Sequence, residues 1–79
     1  MRVSEFLDVV CETLELPPKS LSLEDTPQTV PQWDSIAHLA IIAAIDYRLK
    51  VPTNDRSLHD FTSIGQLVER LKARNALED

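Results

Sequence analysis

Pro17, Pro18, Pro27 and Pro31 all fall within residues 15–34, so that stretch cannot run as continuous helix. Directly after it the chain changes character. From Ile36 to Tyr47 the only polar side chains are His38 and Asp46, with no glycine or proline among them. The fold must therefore join a long irregular segment to a strongly apolar helix, and the junction is Trp33-Asp34-Ser35-Ile36. Asp34 is a favoured N-cap, able to accept a bond from a free amide of the first turn. Ser35 then occupies that turn, beside unpaired N–H groups and the positive end of the helix dipole, where a phosphate ester is electrostatically favoured.

Before the loop, Val3, Phe6, Leu7, Val10 and Leu14 recur at helical spacing and predict a first helix from Val3 to Leu14. Leu16, Leu21, Leu23, Val30 and Trp33 are the apolar anchors that tie the loop, Glu15 to Asp34, over a helical core, with a turn of helix expected near Ser20 to Asp25. Trp33 reads as a packing residue that orients the second helix. That helix is predicted from Ser35 to Lys50, ended by Val51–Pro52, because a residue before proline disfavours helical angles. At 100° per residue its apolar groups fall into two arcs. Ile41, Ile42, Ile45 and Leu49 form a core arc with His38 at its N-terminal end, while Ile36, Leu39 and Ala43 lie on roughly the opposite side. A small domain needs only one such arc for its core, so the second suits a partner surface or a bound apolar chain. A short helical turn is expected from Asp55 to Asp60, with Leu58 and Phe61 inward. The last helix starts at Thr62 or Ser63, where Ser63 and Gln66 have capping-box spacing, and runs through Ile64, Leu67, Val68 and Leu71 to Arg74. Arg70, Lys72 and Arg74 suit its C-terminal dipole, and Asn75 to Asp79 is expected to fray.

Seventy-nine residues support one domain with a core too small for an elaborate active site. A net charge of −5 argues against nucleic acid and anionic membrane surfaces, which call for a basic footprint. It suits a partner with a basic patch. The single cysteine, Cys11, excludes an internal disulfide and fits a reducing compartment; its place on the first helix reads as a packed core-edge thiol. No signal peptide is recognised, and no apolar run reaches the roughly 18–20 residues of a membrane span, so a cytoplasmic protein without membrane insertion is expected.

The Asp34-Ser35-Ile36 triplet opening an apolar helix, the Val51–Pro52 break and the Phe61-Thr62-Ser63-Ile64 start of the last helix resemble the acyl carrier protein family over essentially the whole chain. The resemblance implies an all-α, four-helix acyl-carrier-like bundle, with a long loop between helices one and two and a short third helix. It implies 4'-phosphopantetheine, supplied by coenzyme A and a separate phosphopantetheinyl transferase, on Ser35, with acyl groups held as thioesters on its thiol. The carrier would be no enzyme itself and would work as a monomer. Asp34 would help dock the transferase, and Ile36, with Leu39 and Ala43, would dock acyl-loading, synthase or acyltransferase enzymes. Typical fatty-acid-synthesis carriers have an acidic second helix. Here Asp46 against Arg48 and Lys50 leaves the segment from Ser35 to Lys50 one net positive charge. Recognition should lean on apolar contact, which favours a specialised lipid or secondary-metabolite pathway. The paired glycines of peptidyl carriers are absent, although an aminoacyl carrier stays open, as does a helical adaptor without cofactor.

Other chemistry has less support in the sequence. Two histidines, His38 and His59, make no metal site by themselves, and Glu24-Asp25 reads as a solvated acidic pair. His38 reads as a hydrogen-bonded structural residue. A hydrolytic Ser35, His38 and Asp34 set lacks an evident oxyanion hole or cleft.

Overall fold

The computed structural model describes residues 1–52 and 58–78. Its described residues hold α1 (Val3–Thr13), α2 (Ser35–Ala44) and α3 (Ile64–Ala73), with no strand among them. Phe6, Val10 and Cys11 of α1, Ile41 and Ile42 of α2, and Ile64, Leu67, Val68 and Leu71 of α3 meet in one core. Cys11 lies fully inside it, as a small apolar group. Residues 55–57, the first half of the short third helix expected at residues 55–60, lie outside the described residues, and the fourth member of the expected bundle is not among the helices described. Leu58 and Phe61 are buried, as the pattern predicted.

Helix ends account for much of the architecture. At the start of α1, Glu5 Oε1 accepts the Arg2 N–H at 2.9 Å. At its end Glu15 takes a left-handed backbone, φ 60°, and the N–H groups of Glu15 and Leu16 return to the carbonyls of Glu12 and Cys11. That is a Schellman closure, usually made by glycine, with glutamate in its place. Asn75, φ 59°, closes α3 in the same way, through Asn75 N–H to Lys72 and Ala76 N–H to Leu71. The second helix departs from the expected uniform run to Lys50. It is α-helical to Ala44 and then widens into a π-helical turn, Ile45–Leu49, before Lys50 turns left-handed at φ 55°. Val51–Pro52 bars further α-helix, and the widened turn with its left-handed residue is the form of termination adopted.

The loop is packed against the helices. Leu21, Val30 and Trp33 are buried and Leu16 half-buried, but Leu23 points outward, against expectation. Its backbone is the part that matters. The three leading N–H groups of α3 are each satisfied: Ile64 donates to the Asp25 carbonyl at 3.1 Å, Gly65 to the Leu23 carbonyl at 2.9 Å, and Gln66 to Ser63 Oγ at 3.1 Å. Such groups have no partner within a helix, so the loop caps the helix it crosses. Gly65 permits this approach, since a Cβ there would sit 3.0 Å from the Leu23 oxygen. Gln66 reaches back to the Thr62 N–H at 2.9 Å, one residue earlier than in the usual capping box.

Three expectations are corrected here. Residues 20–25 hold a single hydrogen-bonded turn, Asp25 N–H to the Ser22 carbonyl, instead of helix. Asp25 is no merely solvated acid either. Its carboxylate accepts the Ser22 N–H at 2.8 Å and the Thr29 hydroxyl at 2.9 Å, organising the loop. Nor do residues 75–78 fray: Leu77 is buried, and Glu78 exchanges backbone bonds with Met1 and Val3, fastening the end of the chain to the start of α1.

Candidate attachment site on the second helix

Asp34 has an extended backbone (φ −99°, ψ −171°), and its Oδ1 accepts the Ala37 N–H at 2.8 Å. Its carbonyl accepts the His38 N–H at 2.8 Å, the first bond of α2. Asp34 is thus the N-cap that the sequence predicted, and Ser35 is the first residue of the helix, with an exposed side chain. Being first and second in the helix, Ser35 and Ile36 have N–H groups with no intrahelical acceptor, at the positive end of the dipole.

Trp33 fixes where this start sits. Its ring is 3% exposed, and its Nε1–H donates to His38 Nδ1 at 3.1 Å. His38 Nε2 meets the His59 carbonyl at 2.6 Å. An indole N–H only donates and a carbonyl only accepts, so this pair of bonds selects the neutral Nε2–H tautomer. The His38 ring stacks on Phe61 with centroids 4.5 Å apart, and on Trp33 at 6.2 Å. His38 is therefore the structural residue expected. With both ring nitrogens committed to Trp33 and His59, neither is directed at Ser35.

Between the loop and the first turn of α2 lies a groove of about 510 Å³ lined by Pro27, Trp33, Asp34, Ser35, His38 and Leu39. Ser35 is part of its wall. Of the residues singled out from sequence, Asp34, Ser35 and Leu39 meet at this groove, whereas Ile36 and Ala43 lie on the outer face of the helix. Pro27, Trp33 and His38 as groove walls escaped sequence reasoning. Pro27 comes from a loop position whose place over the helix no local pattern encodes.

The outer face stays apolar and exposed. Ile36 is 79% exposed, Leu39 62% and Tyr47 81%, with Ala40 and Ala43 exposed among them. On the inner side Ile41, Ile42 and Ile45 are buried and Leu49 half-buried, so the two arcs separate as the spacing predicted. Among the described residues no three His, Cys, Asp or Glu side chains gather as a metal site, and no helix is long and apolar enough to cross a membrane. Compared with protein-family models, curated proteins and solved structures, the chain matches none.

Proposed function

We propose that this chain is an acyl carrier that accepts 4'-phosphopantetheine on Ser35 and presents thioester-bound acyl groups to partner enzymes in the cytoplasm. The observation that carries this reading is Ser35 itself, an exposed hydroxyl on the first turn of a capped helix, set in the wall of a groove. The surroundings suit the group. A phosphate ester on Ser35 would face the unpaired amides and the positive helix end, and the groove offers the arm an apolar surface. In the loading step Ser35 Oγ forms its bond to phosphorus as the pyrophosphate bond of coenzyme A breaks, the hydroxyl proton leaving to a base of the transferase and 3',5'-ADP departing. When bound, the group supplies a thiol for thioester formation; the chain supplies placement and recognition. Asp34 holds the serine in register with the helix start and offers the transferase a carboxylate.

The exposed arc of Ile36, Leu39 and Ala43 is the proposed docking face. It carries no charge, which supports partners recognised by apolar contact and a specialised lipid or secondary-metabolite pathway. Incubation with coenzyme A and a broad-specificity transferase, followed by intact-mass measurement, tests the assignment. One phosphopantetheine is expected on the wild type and none on Ser35→Ala. Modification that persists in Ser35→Ala moves the site to Ser20, Ser22, Ser57 or Ser63. A wild-type mass that does not change favours the cofactor-free adaptor, since the same apolar face would still serve a partner.

A further inference from the structure

The groove beside Ser35 takes one wall from Pro27 of the loop, and Ile36 is not among its lining residues. Asp34 and Ser35 are adjacent in the chain at the helix start, and Asp34 Oδ1 is already engaged by the Ala37 amide. The rest of the wall is Pro27, Trp33, His38 and Leu39. His38 has given both ring nitrogens to Trp33 and His59, so it offers the groove ring carbon and no vacant nitrogen. At about 510 Å³ the groove falls within the range of about 300–1,000 Å³ common for small-molecule sites. An occupant esterified to Ser35 begins at an anion-favouring helix start and has Pro27, Trp33 and Leu39 as apolar neighbours in the same groove.

The pantoyl end of the arm has that order of groups: a phosphate ester, one methylene, then a quaternary carbon with two methyls. We propose that this branched segment, once esterified to Ser35, lies in the groove with its methyls against Pro27, Trp33 and Leu39. The inference rests on Ser35 being the attachment residue. It has a consequence for partner docking. Leu39 belongs both to the groove and to the exposed apolar face. A partner that covers Leu39 removes one wall of the groove and frees the arm, so recognition and release of the arm are linked through one side chain.

Isotope-filtered nuclear Overhauser spectra of the full chain, labelled and carrying unlabelled phosphopantetheine, test this. Cross-peaks are expected from the geminal methyls to the Trp33 indole, the Pro27 ring and the Leu39 methyls. In a Pro27→Glu variant shown by mass to carry the arm and by far-UV circular dichroism to be folded, a carboxylate replaces one apolar wall, and the cross-peaks to Trp33 and Leu39 should be lost. Failure of the wild type to gain mass would defeat the Ser35 assignment. A loaded protein whose arm shows cross-peaks only to Asp34, Ser35 and Ile36 would overturn the groove and leave that assignment standing. Should Pro27→Glu fail to fold, the wild-type spectrum alone decides.

Discussion

Ile36 and Ile45 differ little on paper: same side chain, same helical run, nine positions apart by number, no charged residue between them. The structure separates them, with Ile45 1% exposed and Ile36 79% exposed. Ile45→Ala removes buried methyl and methylene groups next to Ile41 and Ile42, and such truncations cost about 2–5 kcal/mol. Stability of about 0.05–0.15 kcal/mol per residue gives a chain of 79 residues a total of about 4–12 kcal/mol. The loss is therefore a large part of the whole. At about 4–8 °C per kcal/mol for a domain of this size, Tm should fall by at least about 8 °C. Ile36→Ala touches no core atom and should stay within about 0.5 kcal/mol, a shift under about 4 °C. The same variant should weaken a complex with the transferase by about 1–3 kcal/mol, as loss of an apolar interface anchor does. Thermal melts by far-UV circular dichroism and titration calorimetry read the two quantities. Equal melting shifts, or a larger one for Ile36→Ala, would mean that the faces are reversed and the docking surface wrong.

Asp34→Ala should lower stability by about 1 kcal/mol through the lost cap and should slow phosphopantetheine transfer beyond what that loss explains; unchanged loading with only a lower Tm would reduce Asp34 to a cap. The Ser22 N–H holds the Asp25 carboxyl below its usual value, with partial burial opposing and the Thr29 and Ser22 hydroxyls adding to it. A depressed carboxyl stabilises the fold above its unfolded pKa, and that contribution is lost as pH falls through the folded value. Asp25→Asn should therefore cost about 1 kcal/mol at neutral pH and progressively less in acid, so the difference in Tm from wild type should shrink as pH is lowered through the carboxylate range. A difference that stays constant with pH would show that Asp25 acts there as a neutral bonding partner only. Gly65→Ala should destabilise by about 1 kcal/mol, although alanine is the better helix former by a similar amount, because its Cβ meets the Leu23 oxygen at 3.0 Å. A stabilised variant would show that the loop gives way.

What could be read from the sequence was what local chemistry determines. The stripe on α1, the Asp34 and Ser63 caps and the inward Leu58 and Phe61 each follow from spacing or residue type, and each is found in place. The misses are tertiary. Leu23 looks like an anchor by hydropathy, but its carbonyl is committed to the Gly65 amide and its side chain is left outside. Asp25 looks solvated until the loop folds back and brings Ser22 and Thr29 to it. Fraying at residues 75–78 is a fair default for a chain end, overridden by Leu77 finding the core and Glu78 pairing with Met1 and Val3. The left-handed turns at Glu15 and Lys50 carried no glycine to announce them, and only Asn75 is a residue type that favours one.

The site divides along the same line. Asp34 and Ser35 are adjacent in sequence, so a cap and the hydroxyl beside it are legible without any knowledge of the fold. The groove is not, because its walls come from Pro27 in the loop and from Trp33, His38 and Leu39, whose side chains converge only when Trp33 is buried. That burial depends on His38 accepting the indole N–H while donating to His59, some twenty residues further along the chain. The stack of Trp33, His38 and Phe61 therefore does two jobs with one set of contacts. It anchors the loop to the second helix, and it holds the start of that helix where Ser35 faces outward. Both arcs of α2 are hydrophobic, and the spacing already assigns Ile41, Ile42 and Ile45, with His38 at the N-terminal end, to the core. The Trp33–His38 bond agrees with that rotation: with His38 turned toward Trp33 and Phe61, Ile41, Ile42 and Ile45 lie inward and Ile36, Leu39 and Ala43 are left exposed.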